Sequence, residues 1–234
     1  MRVCAVAPFA PDDATGSGNP RWQAHDILRL HRLEAFDNEP AWVRDAFART
    51  PFVVVRRAQV APGFVAVGVR GAARNERYGT WARCNDIEAV VKPEALLSAS
   101  TLAADRHALP ALVALDALRS DSPSMLDTFT WGPTGSVGFE LATFKPTVTS
   151  TSDLDLLIRI PNHFPRDEAQ RLQALLDTHA GSAGIRIDAQ LETPAGGVAL
   201  AEYASGKARV MTRDANGPRL VADPWARDHA QAVL

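Results

Sequence analysis

The chain has 234 residues, of which 46% are hydrophobic and 22% charged, and its net charge is −2. That length buries a substantial core in one large domain or two modest ones, and the composition excludes a disordered or membrane-embedded chain. The near-neutral charge excludes a whole-protein attraction for nucleic acid, so any grip on phosphate must come from local arginine clusters. No apolar run approaches the roughly 20 residues of a membrane span. The opening MRVCAVAPFA is too short, and too interrupted by Pro8, for a signal peptide. Cys4 and Cys84 read as free thiols in a reducing cytoplasm.

Residues 1–22, with PDDATGSGNP at their centre, read as a flexible leader. An N-terminal α+β domain is expected over 23–104. In AHDILRLHRLEAF the spacing of Ile27, Leu30 and Leu33 predicts a helix, and AWVRDAFART predicts a second, short amphipathic one. PFVVVRRA and GFVAVGVRG predict two strands about Pro62-Gly63. DIEAVV predicts a third, and Pro93 starts a short helix in PEALLSAS.

A second domain is expected over 105–234. ALPALVALDALRS predicts a helix, MLDTFTW a strand, and VGFELAT a short helix after the loop GPTGS. DLDLLIRI alternates most clearly of all, with Asp153, Asp155, Leu157 and Arg159 on one face. RDEAQRLQALLDTHA is a helix stopped by Gly181 and Gly184, and GIRIDAQLE a second alternating strand. GGVALAEYAS reads as a short helix, and ARVMTRDANGPRLVA as a hairpin about Asn216-Gly217.

The chemistry concentrates on the two alternating strands. Asp153 and Asp155 project from one face, and Asp188 shares a face with Arg186, Gln190 and Glu192. If the strands are neighbours, three carboxylates can meet, with Glu192 as the alternative to Asp188 for the third. Such a cluster repels itself unless a cation sits in it, and few, hard oxygen ligands suit Mg²⁺, which keeps waters and takes its other ligands from phosphates. Upstream, Gly132, Gly135 and Gly138 punctuate the loop and let backbone approach a phosphate, while Ser136 offers a hydroxyl donor. Metal ligands are therefore sought in Asp153, Asp155 and Asp188, and phosphate contacts in Gly135 and Ser136. Arg70, Arg74 and Arg77 form a further candidate phosphate grip, against the plainer reading of a charged surface run. Arg56, Arg57 and Lys145 carry the same two readings. Trp131 reads as core, and the pair His25-Asp26 as a helix cap or a substrate contact.

Strand, Gly-Ser, helix, then Asp-x-Asp on the next strand resembles the signature of polymerase-β-like nucleotidyltransferases. The resemblance implies a mixed sheet with flanking helices, preceded by the smaller α+β domain. The sixteen residues between Ser136 and Asp153 exceed the usual gap, which points to an enlarged loop near Lys145-Pro146. WGPTGSVGFELAT, TSDLDLLIR, IDAQLETPAGGVALAEYA and GPRLVADPW, with AHDILRL, PFVVVRRA and VAVGVRGAARNERYGTW, are similar to the phosphoribosyl-dephospho-CoA transferases of bacterial malonate decarboxylase. That resemblance implies a cytoplasmic, magnesium-dependent enzyme. Its donor is the triphosphoribosyl-dephospho-CoA, its acceptor a serine of the decarboxylase's acyl-carrier subunit, and its leaving group pyrophosphate. Asp153 and Asp155 would hold metal, with Asp188 as bridging ligand or base. Transfer of an ordinary nucleotide and a catalytically silent nucleotide-binding module are the alternatives.

Overall fold

The computed structural model describes residues 3–10, 13–14, 21–98, 102–121 and 123–226. The chain divides into two compact units. One is built by residues up to Lys92 with Ala215–Gly217, the other by Pro93–Asp214 with the residues from Pro218 on.

Among the described residues, the first unit has a six-stranded sheet and one α-helix. Its strands are β1 (Val3–Cys4), β2 (Ile27–Leu30), β3 (Phe52–Val55), β4 (Phe64–Arg70), β5 (Arg77–Arg83) and β6 (Ile87–Val91), in the order β1-β5-β4-β3-β2-β6. Only β1 runs parallel to its neighbour. Leu28, Leu30, Val53, Val65, Val67, Val69 and Tyr78 are buried together with Val43 and Ala46 of helix α1 (Trp42–Arg49), so one sheet face and one helix stripe share a core. The opposite face of the β4–β5 ladder pairs Gly68 with Gly79 and Arg70 with Arg77.

Three expectations for this unit need correction. The helix expected from Ile27, Leu30 and Leu33 is strand β2, because Ile27–Leu30 is hydrogen-bonded on both sides, to β3 and β6. The arginine run continues into β5, a strand absent from the expectation. The leader lies partly within the fold: Val3–Cys4 extends the sheet, Ala5 is buried, and Phe9 packs on Phe64 and Trp81. The rest of its glycine-rich centre, apart from residues 13–14, lies outside the described residues.

The second unit carries a mixed sheet in the order β12-β11-β10-β9-β8-β7. Its strands are β7 (Thr130–Pro133), β8 (Leu154–Arg159), β9 (Ile187–Thr193), β10 (Gly196–Ala199), β11 (Val210–Asp214) and β12 (Gly217–Val221). Its helices are α2 (Pro110–Ser120), α3 (Gly135–Thr143), α4 (Arg166–Ala183) and α5 (Leu200–Ala204). β8 and β9 run parallel, and α4 makes the crossover that parallel neighbours require. Leu154, Leu156, Leu157 and Ile158 are almost fully buried, as are Leu172 and Leu176 of α4 and Leu112, Leu115 and Leu118 of α2. α4 runs through Gly181 and ends at Gly184, whose left-handed φ of 66° caps it. MLDTFTW is a 3-10 turn at Met125–Thr128 followed by β7, and GGVALAEYAS is β10 followed by α5 rather than one helix. Both chain halves are thus α+β.

Candidate active site in the second unit

The parallel ladder of β8 and β9 sets the site. Its register pairs Leu154 with Ile187, Asp155 with Asp188 and Arg159 with Glu192. Paired residues of neighbouring strands project to the same side, so Asp155 and Asp188 stand side by side on strands about 4.8 Å apart. The Leu154 N–H donates to the Arg186 carbonyl at 3.0 Å, which carries the register one step back and sets Asp153 beside Arg186. The four polar residues make a two-by-two patch. Glu192 lies four residues further along and pairs with Arg159, away from Asp155 and Asp188 along the ladder.

Within the patch the charges are already partly matched. An Arg186 guanidinium nitrogen lies 3.1 Å from Asp153 Oδ2 and 2.8 Å from Asp188 Oδ2. Asp155 lies against the start of α3, where a Cβ on Gly135 would overlap its Oδ2. The register thus sets Asp153, Asp155 and Asp188 on one face of the sheet. Among the described residues no three acidic, histidine or cysteine side chains gather as a metal cluster. The donor set still fits a hard divalent ion. It consists of carboxylate oxygens with little else, and the position between two of them is taken by a positive group.

Helix α3 begins at this patch. The Thr134 N–H donates to the Asp155 carbonyl at 2.8 Å and ties the end of β7 to β8. Gly135 follows with φ of 59°, a left-handed conformation that favours glycine, and with no side chain between α3 and Asp155. Ser136 sits in the first turn, where the backbone N–H groups have no partner within the helix. Gly132 and Gly138 have a different purpose from the phosphate approach expected of them. A side chain at Gly132 would overlap the backbone of Pro93 and Glu94, and one at Gly138 the carbonyl of Pro133.

The long gap between Ser136 and Asp153 is an anchored loop. α3 ends on Phe144, a left-handed residue with φ of 56°, and the chain returns along its own helix. Glu140, on α3 and 1% exposed, receives two hydrogen bonds from Arg106, at 2.7 and 2.9 Å. It also receives the backbone N–H groups of Thr147 and Val148, each at 2.7 Å. Arg106 donates in turn to the Val148 carbonyl, and Thr147 Oγ1 to the Ser136 carbonyl. Burial pushes the Glu140 carboxyl up, but the Arg106 bonds and the two backbone N–H groups outweigh it and hold the group below the usual glutamate range. The same pairing raises Arg106. One buried carboxylate thus fixes the loop that leads from Ser136 to Asp153.

The arginine candidates lie in the first unit. Arg70 and Arg77 face each other across β4 and β5, and Arg74 is in the exposed turn between them. Arg77 also donates to the Glu76 carbonyl at 2.8 Å. Arg56 lies over Gly68 and Gly79 and against the Trp81 ring, and Arg57 meets His25 Nε2 at 3.1 Å. Asp26 is fully buried and accepts the Gln23 N–H, at the start of a strand rather than a helix. Trp131 is buried, and both cysteines are free thiols. Among the described residues no helix is long and apolar enough to cross a membrane.

Residues 22–93 match the family model of the phosphoribosyl-dephospho-CoA transferase MdcG N-terminal domain, and residues 96–224 that of its C-terminal domain. The chain belongs to the phosphoribosyl-dephospho-CoA transferase family. It is therefore a transferase. The two models divide the chain close to Pro93, where the structure divides into its units. Proteins named phosphoribosyl-dephospho-CoA transferase from Pseudomonas putida (strain W619) and Pseudomonas aeruginosa are each 44% identical to it. Both alignments cover 87% of this chain, with 95% and 93% of the relative respectively. The protein of that name from Azotobacter vinelandii is 39% identical, over 87% of this chain and 94% of its own length. No solved structure matches the chain.

Two features of this transferase escaped the sequence. Arg186 was on the right face by parity with Asp188, but its pairing with Asp153 needs the β8–β9 register. The Arg106–Glu140 pair spans 34 residues of sequence, and no local pattern announces it.

Proposed function

We propose that the chain attaches a phosphoribosyl-dephospho-CoA group to a serine of the apo acyl-carrier subunit of malonate decarboxylase. The donor is 2'-(5''-triphosphoribosyl)-3'-dephospho-CoA, and pyrophosphate leaves. The serine oxygen attacks the phosphorus nearest the ribose, the bond from that phosphorus to pyrophosphate breaks, and the serine proton passes to a base. The observation that best supports this reading is the register of Asp155 with Asp188, beside Asp153 and against Gly135 at the start of α3. The order of strand, Gly-Ser, helix and acidic strand supports a polymerase-β-like nucleotidyltransferase core. The carrier as acceptor rests on the similarity to the transferases of malonate decarboxylase.

In-line displacement at phosphorus asks the protein for positioning and charge neutralisation more than for covalent help. Asp153 and Asp155, with Asp188 as a further ligand or as the base, would hold Mg²⁺, which would supply charge neutralisation at the donor phosphates and the departing pyrophosphate. Gly135 leaves room for phosphate against the backbone, and the free N–H groups of the first turn of α3, with the Ser136 hydroxyl, donate to it. Asp188 is half exposed, which suits a group that takes the proton of the incoming serine. Arg70, Arg74 and Arg77 form a basic cluster of the first unit whose chemistry suits phosphate. The two free thiols suit a reaction in the reducing cytoplasm.

Intact-mass measurement of the apo carrier tests this directly. With donor and Mg²⁺, the wild-type enzyme is expected to add the mass of the phosphoribosyl-dephospho-CoA group, and Asp153→Ala to add none. Mass gain from ATP in place of the donor would assign the enzyme to ordinary nucleotide transfer. Donor binding without any gain would make it a silent binding module.

A further inference from the structure

We propose that Arg186 is the resident counter-ion of the carboxylate patch: its guanidinium holds Asp153 and Asp188 in the metal-free protein and gives way when a divalent cation binds. The inference rests on the nucleotidyl-transfer reading of this patch, and it assigns a positioning role to a residue outside the proposed ligand set. One guanidinium nitrogen reaches both carboxylates, at 3.1 and 2.8 Å, so Arg186 does for this pair what a metal ion would do. One guanidinium bridges two carboxylates, so its single charge leaves this pair negative toward a second, stronger cation.

Geometry allows the exchange. The Arg186 backbone is fixed, since its carbonyl accepts the Leu154 N–H. Its side chain is 67% exposed, so the guanidinium swings into solvent without disturbing the ladder. Exposed ion pairs are weak and easily screened, whereas a small divalent ion at shared carboxylate oxygens binds with twice the charge. Without a cation the arginine prevents Asp153 and Asp188 from repelling each other apart. With one, it is released beside the position that the donor phosphates take.

Calorimetric titration of Mg²⁺ into the full chain, without donor or carrier, tests the exchange. Arg186→Gln is expected to bind Mg²⁺ about tenfold more tightly than wild type, equivalent to about 1.4 kcal/mol, because nothing has to be displaced. Arg186→Lys keeps the charge but loses the fork, and its affinity is expected to fall between the two. Asp153→Asn is expected to bind weakly. A merely structural ion pair would lower the unfolding midpoint of Arg186→Gln and leave its metal affinity at the wild-type value or below. That result overturns the counter-ion role while the metal site stands. If Asp153→Asn binds Mg²⁺ as wild type does, the metal-site reading itself falls, so the two failures are distinguishable.

Discussion

Replacing Glu140 with glutamine leaves the shape of α3 intact and removes the one charge that anchors the loop 144–152. Oε2 accepts three donors, from Arg106, Thr147 and Val148, while Oε1 accepts the Arg106 Nε. A glutamine keeps its oxygen toward the three donors and must then set its NH₂ against the Arg106 Nε, donor facing donor. Breaking a buried ion pair from one side costs roughly 3–5 kcal/mol. Arg106 is 21% exposed and can recover some hydration, so the expected loss is about 2–3 kcal/mol. For a chain of this size that lowers the unfolding midpoint by roughly 4–12 °C. Thermal unfolding followed by near-UV circular dichroism measures it, and amide exchange at Thr147 and Val148 reports the loop itself. The pH dependence gives a second reading of the same group. The folded carboxyl lies below its unfolded value of about 4.3, so its contribution is present above that pH and is lost as pH falls through the folded value. Glu140→Gln has no such group, and that part of the acid limb is expected to vanish from its profile. A variant with an unchanged midpoint, unchanged exchange at 147–148 and the wild-type acid limb would refute the anchoring argument.

Gly135→Ala is expected to lose about 1–2 kcal/mol from the left-handed backbone alone, and to lose transfer activity beyond that share because Asp155 must move; activity equal to wild type would show that Asp155 needs no such room. Asp155→Asn and Asp188→Asn should each remove carrier modification in the mass assay while leaving the unfolding free energy within about 1 kcal/mol of wild type, since neither side chain is buried. Substituting Arg70 and Arg77 together with glutamine should weaken donor binding several-fold in a calorimetric titration and flatten its salt dependence. Unaltered donor affinity would return that pair to the role of a charged sheet surface.

How far the sequence could be read depended on how many residues each element gave to its pattern. β8 and β9 are long enough to alternate clearly, so parity put Asp153 and Asp155 on one face of their strand, and the β8–β9 register then set Asp188 beside them. α4 and α2 likewise show their apolar stripes over several turns. β2 has only four residues, and a register shift between Arg29 and Leu30 breaks its alternation. Its leucines also fit a helical spacing, and the pairing with β3 and β6 decides the matter. β5 hides behind Gly79 and its arginines, which look like a loop until β4 is laid beside it. Within the site, the direction of the Asp155 carboxylate depends on Gly135, which folding brings across from another element. The sequence spacing shows the face but not the rotamer. The loop from Phe144 looked oversized because its anchor, Glu140, sits inside the preceding helix, where a glutamate ordinarily reads as solvent-facing.

The pairing of Asp155 with Asp188 also governs which changes in length the protein can absorb. The two residues are far apart in the chain but joined through a single crossover, so a residue added just after Gly184, where α4 has ended, would alter the contour between them and leave the ladder as it is. A residue added inside either strand would do the opposite. It would move every following side chain to the other face of the sheet, turning the acidic row toward the leucines of the core and a leucine toward Gly135. Spacing along the chain is therefore a poor ruler for this site, and parity within each strand is the dimension that has to be kept.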